Sequence, residues 1–137
     1  LKTILIIFGL CIMRQFPCMA MDRFAALAMI ESGDCDVCTG RDGEVSRFQI
    51  TTALWHQYSR LPLSAARNPF TALNVAKEIM ARRQTRLLAI QHSAISPQEF
   101  YLLWSRPARL LSKRFFTLSR AEWDRAQRFA NLVNHHE

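Results

Sequence analysis

Glu31 is the residue whose position asks for chemistry. In "FAALAMIESG" the residues Phe24, Leu27, Ala28 and Glu31 fall at offsets of three, four and seven, which return to one side of a helix. The first three are apolar, so the carboxyl points where a core belongs. A carboxylate taken out of water without a partner is costly and keeps its proton instead. A carboxylic acid still protonated at neutral pH is a general acid. The plainer alternative is a frayed last turn, at which Glu31 reaches solvent and does nothing. A second carboxyl, Glu44, follows thirteen residues later across a loop that carries Gly33, Gly40 and Gly43.

The same loop holds Cys35 and Cys38. A Cys-x-x-Cys pair in an exported chain can close as a small disulfide. Left reduced it is a pair of thiols, or part of a metal or redox site. Zinc needs more ligands than two, and no histidine is near in sequence. A thioredoxin-type pair has its helix after the cysteines, whereas here the helix comes before. The histidines, His56, His92, His135 and His136, are scattered. No His-Glu-x-x-His, phosphate-binding glycine loop or nucleophile elbow occurs. The reading therefore calls for no metal and no cofactor.

Helices must position these groups. Met21 to Ser32 reads as one, stopped by Gly33. Gly40 to Ile50 reads as a turn with a short extended piece or tight loop. Thr51 or Thr52 caps a short helix bearing Leu54, Trp55 and Tyr58. Asn68 then caps the longest helix, with Pro69 in its first position. Its buried stripe is Ala72, Leu73, Ala76, Ile79, Met80 and Leu87, with Lys77, Arg82 and Arg86 largely off it. Ser96 with Glu99, and Ser119 with Glu122, have the spacing of capping boxes. In the last helix Trp123, Ala126, Ala130 and Val133 share a face. Strand signals are nearly absent, so the expected fold is mainly α.

The chain has 137 residues, half of them hydrophobic, which is the size and balance of one globular domain. Residues 1–20 differ from the rest. Lys2 precedes an apolar run from Thr3 to Met13, and Pro17 and Cys18-Met19-Ala20 follow, the outline of a secretory signal peptide. The run is too short to span a bilayer comfortably. An uncleaved anchor and an ordinary first helix are the alternatives. Cleavage after Ala20 would leave residues 21–137 as the mature domain in the periplasm or outside the cell, without stable insertion in a membrane. It would also lower the net charge from +7 to +5, 16 basic residues against 11 acidic. A basic protein favours an anionic partner. Nucleic acid is a poor fit, because the arginines and Lys113 are spread over several segments from Arg60 to Arg128 and no recognition-helix pattern appears. Charge alone does not choose between a cell-wall polymer and a membrane surface, and the expected state is a monomer.

Glu31-Ser32-Gly33, then Gly43 and Ser46, then Phe48-Gln49-Ile50, with Trp55 and Tyr58 beyond, resembles the lytic transglycosylase and goose-type lysozyme superfamily. "NPFTALNVAKEIMARR" and the closing "RAQRFANLV" resemble later helices of its small exported members. The likeness covers most of residues 22–133. It implies a lysozyme-like helical domain with a short β-hairpin or extended loop after the helix of the catalytic glutamate. Two departures stand out. Where the family has an Ala-Tyr-Asn-Ala-Gly type motif, this chain has Leu102 to Pro107, with Trp104 keeping the aromatic, Ser105 replacing the Asn, and Arg106 and Pro107 replacing the small pair. Arg125 stands where a tyrosine near the catalytic acid is usual.

The resemblance implies cleavage of the MurNAc–GlcNAc bond of peptidoglycan, with Glu31 as acid and then base. Ser32, Ser46, Gln49 and Ile50 would line the substrate. Glu44 separates two outcomes. Facing Glu31 it positions a water and makes a hydrolase. Bonded to loop backbone, or paired with Arg41 or Arg47, it orders the loop, and the reaction is an anhydro-forming transglycosylation. Tyr101 and Trp104, and less readily Trp55 and Tyr58, are flat faces on which pyranose rings could lie, or else core residues. A domain that binds glycan without cutting it is the remaining alternative.

Overall fold

The structure is a computed structural model describing residues 20–113 and 117–134. The leader expected over residues 1–20 lies outside the described residues apart from Ala20, as do Arg114, His135 and His136. The fold is mainly α. Among the described residues there are six helices, α1 (Arg23–Ser32), α2 (Thr52–Tyr58), α3 (Pro69–Gln91), α4 (Pro97–Ser105), α5 (Pro107–Leu111) and α6 (Arg120–Val133), with a 3₁₀ turn at Leu63–Arg67 between α2 and α3.

Their ends follow local chemistry. Asp22 caps α1 by accepting from the N–H groups of Phe24 and Ala25, and Gly33, in the left-handed region at φ 67°, closes it. Thr51 caps α2. Asn68 accepts from Phe70 and Thr71, with Pro69 next, where its missing N–H costs nothing. Both capping boxes are formed, Ser96 with Glu99 and Ser119 with Glu122. Pro107 separates α4 from α5: a proline cannot donate back into the preceding helix, so the chain bends at Arg106 and restarts.

The core forms where α6 packs on α1 and α4, and α3 closes the other side against α4 and α5. Phe100 stacks on Phe129 at 5.7 Å between ring centroids, and Phe24 meets Phe48 and Phe100 edge-on. The expected stripes shift in two helices. In α3 Val75 is buried, and Leu73 only packs against the edge. In α6 Trp123 is 41% exposed while Phe129 is fully buried, so the inward face runs through Ala126, Phe129 and Ala130.

The segment after α1 is a loop held by two isolated bridges, Thr39 with Val45 and Val45 with Ile50. Val45 and Ile50 exchange both backbone hydrogen bonds, at 3.0 and 2.9 Å. Ser46 and Gln49 between them take positive φ, 72° and 51°, which turns the chain back within four residues. A disulfide joins Cys35 to Cys38. Arg47 reaches across to Asp34 at 3.0 Å and Asp36 at 2.6 Å, fixing this loop to the chain leaving α1. Among the described residues no helix is long and apolar enough to cross a membrane.

Candidate active site

The end of α1, the bridged loop, the start of α2 and the facing sides of α3, α4 and α6 enclose a cleft of about 720 Å³. Glu31 is half-buried in its wall. The helix puts it there because Leu27 and Ala28, on the same side, are fully buried. Tyr101 of α4 donates its hydroxyl to Glu31 Oε1 at 2.9 Å, across seventy residues of sequence. The Tyr101 ring is locked in the core, tilted on Phe129 at 5.6 Å, so the hydroxyl has little freedom to leave.

Electrostatics tune the acid. Burial pushes the Glu31 pKa above the ordinary carboxyl range. The Tyr101 hydrogen bond and the positive charges of Arg125 and Arg106 oppose that rise, and the charge of Glu44 adds to it. The Tyr101 hydroxyl is itself pushed up, by burial first and by Glu31 next, and so remains a donor. Glu122, on the α6 side of the same cleft, is the reverse case. The Ser119 N–H, first, and the Arg106 side chain hold it down at about 2. It pairs with Arg106 and, at 2.9 Å, with Arg109.

Glu44 also lines the cleft, with Oε2 accepting from the Asp42 N–H at 3.0 Å. Arg47 pairs with Asp34 and Asp36 instead. Glu44 and Gln49 both lean over Gly40, where a Cβ would collide with Glu44 Oε2 and Gln49 Oε1. Gln49 donates to the Ser46 carbonyl at 2.9 Å. One oxygen of Glu44 is thus committed to the loop that carries it.

Five of the residues expected at a site meet here: Glu31, Glu44, Gln49, Tyr101 and Trp104. Ser32, Ser46 and Ile50, also expected to contact substrate, are not among the residues that line this cleft. The Ser32 hydroxyl donates to the Arg47 carbonyl at 2.9 Å and accepts from the Cys35 N–H, joining α1 to the loop. Ser46 is wholly buried with its Oγ accepting from Phe48 N–H, and Ile50 is core. The aromatic platforms are also reassigned. Tyr101 offers its hydroxyl and not its ring. Trp55 is buried with its indole N–H given to the Leu61 carbonyl at 2.8 Å. Trp104 lines the cleft while nearly all of it is buried, with the Arg83 guanidinium 5.7 Å from its ring centroid.

Sequence reasoning missed Arg83, Gln57 and Glu122 as cleft residues and noticed Arg106 and Arg125 only as departures from a pattern. Glu122 was legible as a capping residue, and a side chain that caps a helix facing a cleft also lines it. Among the described residues no cluster of three or more His, Cys, Asp or Glu could hold a metal ion. The arrangement can donate a proton from Glu31, orient it through Tyr101, and steady negative charge with Arg106 and Arg125. Comparison with protein-family models, curated proteins and solved structures gives no match to this chain.

Proposed function

We propose that this domain is a lytic transglycosylase that cuts the MurNAc–GlcNAc bonds of peptidoglycan. The observation that carries the reading is the half-buried Glu31 carboxyl, raised in pKa by that burial and held by Tyr101 in the wall of a long cleft. A carboxyl whose pKa is raised beside a groove suits protonation of a glycosidic oxygen.

The steps balance on one residue. Glu31 gives its proton to the bridging oxygen, and the bond from that oxygen to C1 breaks. The carbonyl oxygen of the sugar's own N-acetyl group closes on C1 and shares the positive charge. Glu31, now a carboxylate, takes the proton of the 6-hydroxyl. O6 attacks C1, the acetamido oxygen leaves, and a 1,6-anhydro ring forms. Glu31 ends protonated and no water is consumed. Tyr101 supports the middle of this cycle, since its hydrogen bond favours the charged carboxylate. The commitment of Glu44 to the Asp42 N–H supports transglycosylation over a hydrolysis in which Glu44 activates water.

Glu31→Gln keeps the size of the side chain and an oxygen for Tyr101, but has no proton to give. It should fold and lose at least about a thousandfold in release of fragments from purified cell walls. Wild-type digests should contain products with anhydro ends, one water lighter by mass spectrometry than hydrolysed ends. Activity surviving in Glu31→Gln would refute the assignment, and hydrated ends would replace it with a lysozyme-type hydrolase using Glu31 and Glu44.

A further inference from the structure

The cleft beside Glu31 does not end at Gln57. It runs into a second hollow of about 490 Å³ that shares Leu54, Gln57, Arg83 and Pro107 with the first. The second hollow has a different charge. Arg82, Arg83 and Arg86 of α3 line it, and among the described residues no carboxylate does.

Each arginine is set differently. Arg83 is half-buried, donates from Nη1 to the carbonyls of Leu103 and Trp104 at 3.1 and 2.9 Å, and pairs with no carboxylate among the described residues. Arg82 lies over the Tyr58 ring at 5.0 Å and bonds Glu78 one turn back at 3.0 Å. Both members of that ion pair are more than half exposed, so the pair is weak and Arg82 can exchange Glu78 for another anion. Arg86 is exposed and forms no ion pair among the described residues. Arg82 and Arg86 are four apart on one helix, where like charges face each other and repel. Three guanidiniums around one concavity focus a positive potential into it. Planar guanidiniums match the two oxygens of a carboxylate.

We propose that this hollow seats a carboxylate-bearing arm of the substrate, namely the short peptide stem carried by every second sugar of the strand. The assignment rests on the function proposed above, because only a strand bound at Glu31 brings its side arms to the α3 side. Trp104 and Arg83 form the boundary: the sugars lie on the Glu31 side and the peptide turns off over Arg82 and Arg86. Such an enzyme prefers strands that still bear their stems.

Binding is the test. The probes are glycan strands with stems attached and the same strands stripped by an amidase, bound to the Glu31→Gln chain so that nothing is cut. Stem-bearing strands should bind about tenfold more tightly at low salt, an advantage that shrinks as salt screens the charges. Arg82→Gln with Arg86→Gln should abolish the advantage and leave affinity for stripped strands within about twofold. Both side chains are exposed, and circular dichroism checks the fold. Equal affinity for the two strands, failure to bind either, or an advantage that survives in the double variant overturns the seat. Cleavage by the Glu31 chain is read separately. No cleavage with the stem preference intact refutes the transglycosylase and leaves the anion seat standing, whereas cleavage with no stem preference refutes the seat alone.

Discussion

At the end of α1 Glu31 is packed among apolar residues at the negative pole of a helix, with one hydroxyl bonded to it. At the start of α6 Glu122 occupies the positive pole, with a backbone N–H at 2.6 Å and two guanidiniums around it. The two carboxyls line one cleft. The helix dipole opposes charge on the first and favours it on the second; at Glu31 burial outweighs the Tyr101 hydrogen bond, and at Glu122 hydrogen bonding outweighs burial. Two identical side chains in one groove therefore have their pKa values pushed apart, Glu31 up and Glu122 down. That separation is what acid–base chemistry on a single groove needs. It also gives Glu122 a structural role. Fully ionised and committed to arginines, that side chain has no proton to trade.

The comparison breaks most visibly at Tyr101. Tyr101→Phe removes the hydrogen bond that favours the charged form of Glu31 and leaves the ring packing intact. Activity should fall about tenfold to a hundredfold, because the carboxyl loses its orientation and becomes a weaker acid for the first proton transfer. The basic limb of the kcat/KM profile, which reports Glu31 in the free enzyme, should move to higher pH. A limb that stays in place or moves down would mean that the hydroxyl does not tune this acid.

Glu122→Gln breaks the other side. The amide can still close the capping box, so the variant isolates the charge. Stability at neutral pH should drop by about 1 kcal/mol, read from urea unfolding. The sign with pH follows from a folded pKa of about 2, below the ordinary 4.5. The wild-type contribution is complete above the unfolded value and is lost as pH falls through the folded one. The gap between wild type and variant should therefore be constant near neutrality and close between about pH 5 and pH 2. A gap that persists at low pH would show that the arginine clamp acts through something other than charge.

How far the sequence revealed this molecule depends on the range of the interaction concerned. Helix ends were legible because capping is local: Gly33, Thr51, Asn68-Pro69, Ser96 with Glu99 and Ser119 with Glu122 all act within a turn of where they stand. The stripes were legible apart from a residue or two in each helix. Trp123 was misplaced because an aromatic at helical spacing looks inward by type, while the packing of α6 on α1 and α4 buries Phe129 instead. Within the site, Glu31 could be found because an acid among apolar positions breaks a local pattern. Its partner could not, since seventy residues separate Tyr101 from it and only packing brings them together. Ser32, Ser46 and Ile50 carried a motif resemblance in which the residues that build a loop and those that face out of it look alike.

The gentlest probe of the contrast is the stability of Glu31→Gln. A carboxyl whose folded pKa is raised binds more protons in the native state than in the unfolded chain, so it loses native stability as pH rises between the unfolded and folded values. Above the folded value the wild type bears a charge that its surroundings disfavour, and the amide bears none. Glu31→Gln should therefore melt higher than wild type at neutral and alkaline pH, by about 4 °C if the change is near 1 kcal/mol. The advantage should shrink as pH falls below the ordinary carboxyl range, where both side chains are neutral. This runs opposite to Glu122→Gln, which is less stable at neutral pH and recovers parity in acid. Thermal scans of wild type and both variants across that range put the two carboxyls on one axis. An amide at position 31 that leaves the melting temperature unchanged above neutrality would mean that Glu31 ionises there without penalty. The groove would then have lost the built-in acid on which its chemistry depends.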